Sequence, residues 1–170
     1  MFEALRNFAE IGIAIAGFSA IASALRSRVS GAWSERDRLA LLSLLETSAL
    51  VVLFAIVPQV LDQILRNEHS LWASSNVGYA AIHSFHYFIQ VRRIIPSRAV
   101  GQAISPVSPF AGGALFLGGI LLIATQVALA AFGDSGQLRF IYLVALTWHS
   151  CVAGVMFGAL ILSFLKNDAA

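Results

Sequence analysis

The chain has 170 residues, of which 58% are hydrophobic and only 12% charged, with 11 Lys and Arg against 9 Asp and Glu. A soluble domain carries about 25% charged residues; this deficit, with a mean hydropathy of +0.80, excludes an ordinary water-soluble globule and points to the integral membrane class. The lone cysteine, Cys151, excludes an intramolecular disulfide and a cysteine-based zinc site and reads as a small packing residue, and the sequence contains no lipidation, dinucleotide-binding, P-loop or zinc-protease motif.

The first apolar run predicts a helix over residues 5–25. Ile11–Ala22 followed by Ala-Ser-Ala has the outline of a secretory leader. Glu3 and Glu10 interrupt that outline, and cleavage would leave the next arginines on the wrong side, so the helix is read as retained. Gly12, Ala16, Ala20 and Ala24 recur every fourth residue, a ridge for close helix packing within the chain or between copies. A polar connector with Arg26, Arg28, Arg36 and Arg38 follows, in which Ser34 and Asp37 mark the next helix start.

A second helix is expected over 39–65, with Ser43, Glu46 and Thr47 on one face. Pro58 removes one backbone donor and clashes with the carbonyl of Phe54, which predicts a kink near 54–58. The third helix, 71–92, is the polar one. Leu71–Val91 contains no Asp, Glu, Lys or Arg and is long enough to cross a bilayer. Yet Ser75, Tyr79, His83, His86 and Gln90 follow helical spacing and line one face. That stripe must turn towards other helices, a cavity or a cofactor rather than lipid, so the other helices are read as a shell around this one. Arg92 and Arg93 suit its C-terminus, and Ile95-Pro96 is expected to break it.

After a connector over 96–109 comes the most lipid-like helix, 110–132, with Gln126 as its one strongly polar group. Residues 133–137, GDSGQ, read as a turn. The fifth helix, 139–165, carries His149 and a second small ridge at Ser150, Gly154 and Gly158. Trp33, Trp72 and Tyr142 fall near expected interfaces and are read as anchors, whereas Trp148 lies deeper as packing.

The expectation is therefore a single all-α domain over 1–170, a polytopic membrane bundle of about five transmembrane helices. Five crossings with the N-terminus outside and the C-terminus inside put Arg26, Arg28, Arg36, Arg38, Arg92, Arg93, Arg98 and Lys166 on the inner side. Only Arg6, Arg66 and Arg139 remain outside, an asymmetry that the positive-inside rule favours and that suits a bacterial inner (plasma) membrane.

Ionisable side chains at membrane depth define the candidate site: Glu46, His83, His86, His149 and Glu10, with Tyr79 on the same face as His83 and His86. At about 1.5 Å rise per residue, Glu46 and His86 each lie about 10 Å from the inner boundary, and His149 approaches the level of His83. Imidazole titrates near neutrality, so the leading reading is a proton or ion path through a transport or channel protein, built as a homo-oligomer. The alternative is a metal or haem site, with His83, His86, His149 and Glu46 as ligands, or His83 and His149 as an axial pair. A third reading is an accessory or scaffold subunit whose polar face and ridges dock a membrane partner. No nucleophile with a base at defined spacing and no paired carboxylates argue for an enzyme. The short basic connectors meet lipid headgroups rather than nucleic acid.

Overall fold

The computed structural model describes residues 2–29, 35–99 and 109–167. They form α1 (Phe2–Val29), α2 (Glu35–Asp62), α3 (Glu68–Ala99), α4 (Pro109–Phe132) and α5 (Ser135–Asn167). In hydrocarbon a backbone has no partner except itself, which makes long uncharged runs helical. The small hydroxyls obey the same constraint. Ser19, Thr47, Ser75, Ser84 and Ser150 each donate to the carbonyl four residues back, so none of them needs a partner on another helix.

The five expected helices are present, and their ends differ for local reasons. α3 continues through Pro96 to Ala99, because a proline in the last turn forfeits one hydrogen bond without ending the helix. α5 starts at Ser135, inside the segment read as a turn. The N–H of Gln137 donates to Asp134 Oδ1 at 2.8 Å, and the N–H of Asp134 donates to Gln137 Oε1 at 3.0 Å, a reciprocal cap. α2 ends at Asp62, and Asn67 Oδ1 accepts from the N–H of Ser70 where α3 begins. The expected helix start at Ser34 and the anchor Trp33 lie outside the described residues, as do the side chains of Arg26, Arg28, Arg36, Arg98 and Lys166.

The centre of the bundle is α5, not α3. Helix α5 packs on all four others, which follow one another around it in chain order: α1 on α2, α2 on α3, α3 on α4. Small residues allow this, for Ala145 and Ala153 are fully buried on α5. The polar α3 is one stave of that wall. Its inward face carries Ser75, Asn76, Tyr79 and His83, and its outward face exposes Val77, Ile82, Phe85 and Phe88. Hydrogen bonds fix its direction. Asn76 meets Leu138 and Gln126, whereas Gln90 meets Ser43 and Tyr87 meets Leu115, so α3 runs parallel to α5 and antiparallel to α2 and α4.

Four helices contain spans long and apolar enough to cross a membrane: Phe2–Ala24, Asp37–Asp62, Gly112–Phe132 and Ser135–Leu162. Helix α3 falls short in composition because its buried face is polar, yet at 32 residues it runs alongside three of these spans through the bundle. Polarity is inverted relative to a soluble protein. Phe18, Ile64, Phe85, Leu117 and Phe140 are exposed, while Ser48, Asn76, His83, Gln126 and His149 are buried.

Two apolar clusters hold the interior. One, around Leu5, Val51, Phe54, Trp72, Tyr79, Tyr142 and Leu146, lies towards the Arg139 end. The other, around Ala40, Leu44, Ala153 and Leu160, lies towards the Arg93 end. Trp72 and Tyr142 are thus core residues rather than interface anchors; their rings meet edge-on at 5.7 Å. The expected ridge on α1 divides between a part packed within the chain and a part that faces outward. Gly12 is buried, but Ala20 and Ala24 are exposed, because steps of four residues advance past a full turn and drift off the packed stripe of Leu5, Gly12 and Ser19. Gly154 and Gly158 face open space, with no atom within 4 Å of an added Cβ.

Candidate functional site

Between the two apolar clusters lies a polar layer built by α2, α3 and α5. Its deepest part is a contact between His83 on α3 and His149 on α5, whose rings meet edge-on with centroids 4.2 Å apart. Tyr79, one turn before His83, places its hydroxyl 2.7 Å from His149 Nδ1 and 2.8 Å from the carbonyl of Ala145. A phenol has one hydrogen, so two arrangements satisfy this geometry. Either Tyr79 donates to the imidazole nitrogen, or it donates to the Ala145 carbonyl and accepts from Nδ1–H. The two differ by a turn of the phenol O–H and by which imidazole nitrogen carries the ring's proton. Tyr79 is held in place by stacking on Phe54, at 3.7 Å between centroids and 16° between planes.

The other side of His83 is packed by Tyr87, with ring centroids 4.5 Å apart. Tyr87 reaches this position because Gly119 on α4 leaves room for its hydroxyl, which an added Cβ would strike. Trp148 fills the space over Gly118 in the same way, as a packing residue.

Nearer the Arg93 end, Glu46 of α2 meets three α3 side chains spaced by four and three residues. Arg93 Nη1 donates to Glu46 Oε1 at 2.9 Å and to Oε2 at 2.8 Å. Gln90 Nε2 donates to Glu46 Oε2 at 3.0 Å, and His86 Nε2 stands 3.6 Å from the same oxygen. Ser43 Oγ donates to Gln90 Oε1 at 3.0 Å, completing the set. The guanidinium compensates the carboxylate, which makes a half-buried charge tolerable in this layer. Towards the opposite end, Asn76 donates to the carbonyls of Trp72 and Leu138 and accepts from Gln126 Nε2.

The structure therefore joins His83 to His149 and Tyr79, and His86 to Glu46. It does not bring Glu10 to either group. That residue is exposed on α1 and pairs with Arg6 at 3.3 Å, one turn away on its own helix. The proposed four-ligand set also does not converge: among the described residues no group of three His, Cys, Asp or Glu side chains is arranged to hold a metal ion. His83 and His149 touch each other directly and so leave no slot for a porphyrin between them. Ser75, on the same polar stripe, donates its hydroxyl to the Leu71 carbonyl of its own helix.

Sequence reasoning missed Arg93 as a member of the site, reading it as a topology marker. Its spacing from His86 and Gln90 carried the signal, since steps of four and three keep all three on one face. Tyr142 left no comparable signal. A cavity of about 320 Å³ at the Arg139 end, lined by Asp62, Arg66, Glu68 and Trp72 among others, lies away from these histidines. So does a groove of about 610 Å³ between α4 and α5. Comparison with protein families, curated proteins and solved structures returns no match.

Proposed function

We propose that this membrane protein moves protons along the buried face of α3, through Tyr79, His149, His83, His86 and Glu46. The observation that carries this reading is the His83–His149 contact, with Tyr79 poised to exchange one proton with His149. Buried imidazoles are costly to retain in a bilayer, and packing alone is served better by apolar rings. The rings and helices close around these groups, which suits proton hopping between fixed side chains rather than passage of a hydrated ion. Residues from α2, α3 and α5 of one chain suffice for the route, so an oligomer axis is not needed to enclose it. A second copy would pack where Gly154 and Gly158 face outward. By the positive-inside rule, the Arg93 end is read as cytoplasmic and the membrane as a plasma membrane.

The test is proton uptake into liposomes containing the purified protein, driven by a potassium diffusion potential and followed with an internal pH dye. Uptake above that of empty liposomes, lost in His83→Ala and in His149→Ala while both remain folded, is expected. Wild-type uptake equal to that of empty liposomes, or uptake indifferent to both substitutions, overturns the reading.

A further inference from the structure

A chain of hydrogen bonds at the Arg93 end fixes where one proton sits. Arg93 is permanently charged and binds both oxygens of Glu46, so Glu46 acts as an ionised acceptor. An ionised carboxylate accepts only, so the Gln90 group facing Glu46 Oε2 is the amide NH2, which leaves Gln90 Oε1 to accept from the Ser43 hydroxyl. The same Nε2 lies 3.0 Å from His86 Nε2. Having no lone pair to offer, the amide nitrogen donates there as well. His86 Nε2 must then be the unprotonated nitrogen, and the ring's proton sits on Nδ1, which is buried with no hydrogen-bond partner among the described residues.

We propose that Gln90 is the positioning residue of this site: it holds His86 as the neutral Nδ1–H tautomer and stands between the imidazole and Glu46. The 3.6 Å gap from His86 Nε2 to Glu46 Oε2 is short enough for direct pairing once a proton occupies Nε2. The Gln90 N–H occupies that lone pair instead. Transfer between Glu46 and His86 then requires the amide to turn away: a proton that Glu46 takes from water at the Arg93 end leaves its carboxyl oxygen and bonds to His86 Nε2, and the proton on Nδ1 leaves in turn towards His83. Gln90 thus acts as a gate at the Arg93 end of the route. The gating consequence rests on the proton-transfer reading; the tautomer assignment does not.

The experiment is solid-state NMR of the protein in bilayers with ¹⁵N-labelled histidine, the His86 signals being assigned by their loss in His86→Asn. Wild-type His86 is expected to show a protonated Nδ1 and an unprotonated, hydrogen-bonded Nε2. Gln90→Met, of similar length but with no donor, is expected to move the proton to Nε2 facing Glu46. Ser43→Ala, which loosens the amide without touching either partner, is expected to give a mixture of tautomers. A wild-type His86 protonated at Nε2, or the same tautomer in wild type and a folded Gln90→Met, overturns the proposal. Uptake measured on the same samples separates the two ideas. Faster uptake in Gln90→Met that His83→Ala still abolishes supports the gate, and slower or unchanged uptake overturns it. Absence of His83-dependent uptake in every sample defeats the proton-transfer reading and with it the gate, while the NMR result still decides the tautomer.

Discussion

The hydroxyl of Tyr142 donates a 2.6 Å hydrogen bond to the carbonyl of Phe54, the carbonyl that Pro58 leaves without its helical N–H. A proline in a membrane helix exposes an acceptor that hydrocarbon cannot satisfy, and here a neighbouring helix supplies the donor. The same tyrosine packs its ring on Trp72 and Tyr79, so the repair of α2 and the wall of the polar layer share one side chain.

Tyr142→Phe should therefore lower stability by about 1–2 kcal/mol, read as the midpoint of unfolding in mixed micelles. In a Pro58→Ala background the restored N–H serves the Phe54 carbonyl, and the cost of Tyr142→Phe should shrink. Equal costs in the two backgrounds would show that the carbonyl is not what Tyr142 serves.

Gly12 sits where α1 crosses α2. A Cβ there would lie 2.9 Å from Val52 and 3.0 Å from the Ser48 carbonyl, and that backbone atom cannot easily yield. Gly12→Ala should destabilise by about 1–3 kcal/mol. Gly17, with nothing within 4 Å, should accept alanine neutrally or gain up to about 1 kcal/mol. A reversed order in the same unfolding assay would contradict the α1–α2 packing.

The Glu46–Arg93 pair should show up in a double-mutant cycle. Glu46→Gln and Arg93→Gln each break the two-oxygen contact, and their effects should be non-additive by about 1–2 kcal/mol, between exposed and buried ion pairs. Strict additivity would mean that the pair contributes nothing to holding α2 on α3.

Cys151 is exposed on α5, in the groove bordered by Thr147 and Trp148, on the side away from His149. It is thus a surface side chain rather than the packing residue expected of it. In a bilayer that surface meets lipid, where a thiolate does not form readily. Charged, water-soluble maleimides applied from either side of intact membranes should leave Cys151 unlabelled, and denaturation in SDS should make it react. Rapid labelling in membranes would place that face of α5 against water.

Composition and periodicity determined that the chain is a helical membrane bundle, because long uncharged runs in hydrocarbon leave the backbone only one way to satisfy itself. The polar face of α3 was equally legible, since helical spacing is a local property, and so was the common depth at which Glu46 and His86 meet. Depth counting brought His149 to the level of His83. Other features depend on which helices become neighbours, and sequence spacing does not encode that. Only packing made α5 the centre, turned Tyr142 from an interface anchor into the partner of Phe54, and left Glu10 with Arg6 outside the site. Tertiary structure also decided that Arg93 and Gln90 close on Glu46. Hydrogen-bond partners are set within a few tenths of an ångström, a scale fixed by how whole helices seat against each other.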